Sequence, residues 1–164
     1  MPRIKLIYTN KKIAILITLV IIFFSVITIV IPIFLMRLIP QSGIGNYILE
    51  HLYWMYVFIP ILLYFICTGI YYYKIKIDPY IIDIRSYRTI LGIFESDNYI
   101  DISHAMLREF SFYNRPFSFN KTLMLKIETD TGKKVAKRFK LTLLSKKEEE
   151  KISKALNQIT ARDS

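Results

Sequence analysis

Residues Ile13 to Met36 run for 24 positions without a single charged side chain. At ~1.5 Å of rise per residue, such a run as a helix spans ~36 Å, more than the ~30 Å hydrocarbon core of a bilayer. In lipid it has to be helical, because only then does the segment satisfy its own backbone N–H and C=O groups. Its many β-branched residues would favour a strand in water, but a strand of 24 residues is far beyond the usual length. Thr18, Ser25 and Thr28 are its only polar side chains, and each can bond back to the preceding helical turn.

A second apolar run extends from Leu52 to Tyr73. Tyr53, Trp54 and Tyr56 lie at one end and Tyr71, Tyr72 and Tyr73 at the other, in the manner of aromatic belts at the two interfaces of a bilayer. Pro32 and Pro60 fall inside the two runs, where packed membrane helices tolerate proline with a mild kink. The expected organisation is a basic N-terminus over 1–12, a transmembrane helix over 13–37, an outer loop over 38–51 and a second transmembrane helix over 52–73. A soluble domain over 74–160 and a tail over 161–164 complete it.

Charge orients this hairpin. Of the 23 Lys and Arg residues, four stand before the first run and 18 follow the second, while the loop between the runs carries Arg37 and Glu50 alone. By the positive-inside rule, both termini are expected in the cytoplasm of a multi-pass plasma-membrane protein. Arg37, Trp54, Tyr71, Tyr72 and Lys74 are the expected interface anchors, the cations by snorkelling and the rings by their amphipathic character. The first run is too long for a cleaved signal sequence and lacks a small-residue cleavage site. Cys67 is the sole cysteine, which excludes an intramolecular disulfide.

Beyond Tyr72 the hydrophobic period changes to two, the signature of half-buried strands. Tyr73, Ile75 and Ile77 alternate with Lys74 and Lys76, and a turn at Asp78-Pro79 follows. Ile82 and Ile84, then Ile100 and Ile102, then Phe110 and Phe112 continue the pattern, with a further strand expected at Thr89–Phe94. Leu123, Leu125 and Ile127 face a return strand with Val135, Phe139 and Leu141 inward, across a turn at Asp130-Thr131-Gly132. Ser145 and Glu148 form a capping-box signature, and Ile152, Leu156 and Ile159 mark one face of a closing helix. The expectation is an α+β domain of six or seven short antiparallel strands covered by a C-terminal helix. About ninety residues (72–164) are expected to fold without the membrane segments.

This order resembles bacterial membrane proteins that join a two-helix hairpin to a pleckstrin-homology-like (PH-like) domain. The residues that carry the likeness are Tyr72-Tyr73-Lys74-Ile75-Lys76-Ile77 and Tyr80-Ile81-Ile82-Asp83-Ile84-Arg85. Gly92-Ile93-Phe94, Tyr99-Ile100-Asp101-Ile102-Ser103 and Leu125-Lys126-Ile127-Glu128-Thr129 follow, then the closing helix, so that the likeness covers roughly residues 50–160. It rests on pattern and spacing. It implies a small curved seven-stranded sheet capped by a helix and, as a rule, no catalytic activity.

The residues themselves point the same way on chemistry. His51 and His104 have no partners at metal-ligand spacing, the consecutive Glu148, Glu149 and Glu150 point around a helix, and five glycines leave no phosphate-cradling loop. No enzyme activity and no cofactor are expected. Lys134, Arg138 and Lys140 share one face of a strand by period two, either as a solvated face or as a patch for anionic lipid or a protein partner. Phe110, Phe112, Tyr113, Phe117 and Phe119 read as core, with Phe117 and Phe119 flanking a loop. Nucleic acid is not an expected partner, because acids interleave with the basic residues. The expected function is a non-catalytic membrane scaffold or adaptor that contacts membrane lipids and other membrane subunits or further copies of itself. An accessory or immunity-type protein restraining one membrane protein or toxin is the alternative.

Overall fold

The computed structural model describes residues 5–38, 43–51, 53–89, 98–129 and 131–161. It is a small α+β protein with two antiparallel sheets and one long apolar helix. Strand β1 (Leu6–Thr9) precedes a continuous helical stretch made of α1 (Lys11–Ser25), a π-helical turn (Val26–Val30) and α2 (Ile31–Leu38). Helices α3 (Gly43–Glu50) and α4 (Tyr53–Thr68) follow. Six strands come next: β2 (Tyr71–Ile77), β3 (Ile81–Arg88), β4 (Asn98–Ser103), β5 (Leu107–Asn114), β6 (Asn120–Glu128) and β7 (Lys134–Thr142). Helix α5 (Lys146–Thr160) closes the chain.

Lys11–Phe34 is long and apolar enough to cross a membrane, and only 17% of its most apolar stretch is buried. A core helix of a soluble protein would be covered by its neighbours; this one turns its apolar side chains outward. The π turn sits just before Pro32, with the Ile31 N–H reaching back to the Val26 carbonyl. Proline has no N–H for the carbonyl four residues earlier and crowds it, and widening the preceding turn relieves that conflict. Proline at position 60 leaves α4 unbroken.

The strands form a four-stranded sheet in the order β1-β2-β3-β4 and a three-stranded sheet in the order β5-β6-β7. Strands β2, β3, β6 and β7 bury the alternate residues that the sequence predicts, whereas β5 carries a register shift between Leu107 and Glu109 and buries Phe110, Ser111 and Phe112 to a similar degree. Ile75, Ile77, Ile82, Ile84, Leu123, Leu125, Phe139 and Leu141 are fully buried, and Ile152, Leu156 and Ile159 of α5 close over them. The capping box of α5 is formed, with the Ser145 hydroxyl accepting from the Glu148 N–H and the Glu148 carboxylate accepting from the Ser145 N–H.

Three boundaries differ from the sequence expectation. The segment 1–12 is not merely a basic tail, because Leu6–Thr9 pairs with β2 in the register Thr9↔Lys74 to Leu6↔Ile77. The second apolar helix ends at Thr68, not Tyr73. Gly69 (φ 69°) turns the chain out of the helix, and the three tyrosines enter a strand. The span 38–51 contains helix α3 where a loop was expected; its two glycines lower helix propensity by about 1 kcal/mol each without forbidding a helix. The strand expected at Thr89–Phe94 lies, beyond Thr89, outside the described residues. Residues 72–164 alone would therefore lack the β1 edge.

Burial pushes the Tyr73 phenol above the usual phenol range, and the Glu148 carboxylate adds to that. The folded chain holds this proton where the unfolded chain, titrating near pH ~10, releases it. Stability is thus expected to fall as pH rises above ~10, and Tyr73→Phe to flatten that loss in unfolding curves taken at pH ~8 to ~11. An identical alkaline slope in the variant would contradict this.

Candidate functional site at the helix–sheet junction

The two ends of the apolar excursion meet at one end of the sheets. Helix α1 begins two residues after β1 ends, helix α4 ends three residues before β2 begins, and β1 and β2 are hydrogen-bonded neighbours. Below this junction α1 and α4 touch: Phe24 stacks on Phe58 at 5.9 Å, and Ala14, Ile21, Leu62 and Ile70 make a small apolar cluster separate from the main core.

A buried polar network ties the junction together. Asn10 is 4% exposed. Its Nδ2 donates to the carbonyls of Tyr71 (2.9 Å) and Thr142 (3.1 Å), and its Oδ1 accepts from the Tyr73 N–H (2.8 Å). The Thr142 hydroxyl accepts from the Tyr71 N–H at 2.7 Å and donates to Asn120 Oδ1. Asn120 Nδ2 in turn donates to the carbonyls of Thr68 (2.9 Å) and Gly69 (3.0 Å) at the end of α4. Three side chains thereby satisfy backbone groups that the helix end and the strand starts leave open. Sequence reasoning missed all three. Asn10 immediately before an apolar run is a recognisable signal, but its partners lie 61 to 132 residues away.

The β5–β6 turn reaches back alongside α4. Phe119 stacks on Phe65 (5.7 Å) and meets Tyr64 edge-on (5.8 Å), and the Tyr64 hydroxyl donates to the Phe117 carbonyl. Ser118 N–H bonds the Arg115 carbonyl around Pro116 and Phe117, with Phe117 at φ 59°. A proline second and a positive φ third make a type II turn, whose third position favours Gly or Asn. A bulky residue there costs about 1–2 kcal/mol. Phe117 is nevertheless 94% exposed. Beside it, Ile17, Phe65, Gly69, Phe119 and Leu143 line an apolar cavity of about 180 Å³.

The residues singled out from sequence divide between this junction and elsewhere. Tyr71 is buried in the junction, its hydroxyl accepting from Lys140 Nζ at 2.7 Å. Tyr72 is half-buried with its ring 4.6 Å from that of Tyr87, and Lys74 sits mid-strand opposite Thr9 and Arg85. Arg37 is exposed near the far end of the helical stretch, and Trp54 lies in α4 with its side chain outside the description. Lys134, Arg138 and Lys140 share the exposed face of β7. They run along the strand, so Lys140 is at the junction and Lys134 six residues away, ~20 Å at ~3.3 Å per residue. Of the aromatic group, Phe110 and Phe112 are half-buried, Tyr113 is 51% exposed and Phe119 is 47% exposed. Among the described residues, no group of three or more His, Cys, Asp or Glu side chains is placed to hold a metal ion. Comparison with protein-family models, with curated proteins and with solved structures gives no match.

Proposed function

We propose that this chain is a non-catalytic integral membrane scaffold: α1–α2 and α4 form a transmembrane hairpin, both termini are cytoplasmic, and a PH-like domain docks a partner beneath the membrane. One observation carries the reading. The apolar excursion leaves the sheet at Asn10 and returns at Tyr71, and the two points are joined by the β1–β2 ladder and the Asn10 amide. A segment that enters and leaves a bilayer on the same side must cross it an even number of times or not at all. Two apolar segments in contact support two crossings: the first is 24 residues long, and α4, 16 residues or ~24 Å of helix, spans a locally thinned bilayer.

Among the described residues, seven strands in sheets of four and three, closed by α5, support the PH-like part of the proposal. In this reading the hairpin is an insertion between the first two strands of the domain, instead of a leader to it. The basic face of β7 then stands away from the bilayer. Surface charges are screened over ~8 Å at physiological ionic strength, so only Lys140 feels the leaflet strongly, and Arg138 and Lys134 face a protein partner of acidic character.

Cysteine accessibility tests the topology. With Cys67 replaced by Ala, a membrane-impermeant maleimide applied to intact cells is expected to label a cysteine at Ser42 and to spare one at Ser164. Labelling of Ser164→Cys with sparing of Ser42→Cys would invert the topology, and labelling of both or neither would remove the double crossing.

A further inference from the structure

We propose that the Arg115–Phe119 turn is a membrane-inserting loop that seats the Phe117 ring at the headgroup–acyl boundary of the leaflet entered by α1 and α4. The proposal rests on the membrane reading above and adds a third point of contact to the two helices.

Depth is the first argument. Tyr64 lies four residues, about 6 Å of helical rise, before the end of α4 at Thr68. Its hydroxyl holds the Phe117 carbonyl, and Phe119 stacks on Phe65 of the same helical turn. The turn therefore lies beside the last turn of α4, at a level where that helix would already be among headgroups. Its place is set by the helix, so the two enter the same layer together.

Conformation is the second. Phe117 occupies the turn position that favours Gly or Asn, and the residue as a whole is 94% exposed. Among the described residues only Phe117 and Leu143 combine a side chain with a positive φ. Both are apolar, both are exposed, and both belong to this end, where the Leu143 N–H bonds the Phe119 carbonyl at 2.9 Å. Two strained loop residues that each present an apolar side chain outward at one end of the molecule fit an apolar layer around that end.

Charge is the third. Arg115, exposed at the start of the turn, supplies a cation where phosphate oxygens lie when Phe117 is at the acyl boundary. An apolar ring flanked by a cation is the side-chain pairing that interfacial anchoring uses. The apolar surface also continues inward, since Phe119 and Leu143 line the same apolar cavity as Ile17 of α1 and Phe65 of α4.

The test uses the full chain with Cys67→Ala, because Cys67 is exposed and would itself take up the label. Phe117→Cys, Leu19→Cys and Lys133→Cys are each labelled with an environment-sensitive fluorophore and reconstituted into vesicles of phosphatidylcholine and phosphatidylglycerol. The probe at 117 is expected to shift to the blue and resist aqueous iodide. Lipid spin-labelled near the headgroup end of its acyl chain should quench it several-fold more than lipid labelled near the chain end. The probe at 133, on the turn at the opposite end of the sheet, is expected to stay fully iodide-accessible. Iodide access at 117 together with lipid quenching at 19 would overturn the insertion and leave the membrane reading standing. Iodide access at both positions would remove the membrane reading and the insertion with it. A blue-shifted probe at 117 that neither lipid quenches would also overturn the proposal, because the ring would then be packed on protein.

Discussion

Asn10→Leu is expected to lower the stability of the detergent-solubilised chain by about 3 kcal/mol or more. The substitution keeps the branched four-atom skeleton of the side chain but removes one acceptor and two donors from a site that is 4% exposed. The Tyr73 N–H loses its acceptor, and the carbonyls of Tyr71 and Thr142 each lose a donor. A buried polar group deprived of its partner costs about 1–3 kcal/mol, and three groups are affected at once. Lys11→Ala, one residue on and exposed, should stay within about 0.5 kcal/mol. Thermal or denaturant unfolding in one detergent reads both variants. The consequence for the proposed scaffold is mechanical, because Asn10 joins the start of α1 to β2 and β7. With the joint weakened, limited proteolysis should cut near residues 5–10 sooner in the variant than in the parent. An Asn10→Leu chain with unchanged midpoint and unchanged cleavage would show that the network contributes nothing.

Phe139→Ala is expected to cost about 3–5 kcal/mol, the range for deleting a buried aromatic ring from a well-packed core. Phe139 is fully buried on β7, opposite Leu123 in the β6–β7 register. Its neighbour Arg138 points the other way, so Arg138→Ala should move stability by no more than about 0.5 kcal/mol. The contrast matters for the basic face. Because Lys134 and Arg138 lie outside the core, their replacement can test docking of an acidic partner without unfolding the domain. If Arg138→Ala proved the costlier of the two in equilibrium unfolding, the faces of β7 would be reversed and the basic patch would not exist.

Much of this fold is legible in the chain because its signals are local. A side chain's face in a strand follows from position alone, so the alternation from Tyr73 to Ile77 and from Val135 to Leu141 identifies the inward residues before any pairing is known. The α5 capping box spans three residues and needs no distant partner. The absence of charge over 24 residues likewise marks α1–α2 without reference to the rest of the chain.

Two errors of reading have a common cause. Leu6–Thr9 is four residues long, too short for its alternation to stand out, and its partner strand lies beyond the whole apolar excursion. Tyr71, Tyr72 and Tyr73 continue an apolar run without a break in composition; the end of the helix is set by Gly69 at positive φ and by the Asn120 amide that takes the last carbonyls. Composition alone does not separate an aromatic belt from the first residues of a half-buried strand.

The sequence by itself determined the apolar helix, the inward face of each recognised strand and the closing helix, since all three depend on periodicity and on contacts within a few residues. Only the tertiary structure decided that β1 joins the sheet, that Asn10, Asn120 and Thr142 form one network, and that Phe117 stands exposed beside Tyr64. The physical reason is distance along the chain. A buried amide or a strained turn is tolerated because of partners 52 to 132 residues away, and nothing in its immediate neighbourhood announces them.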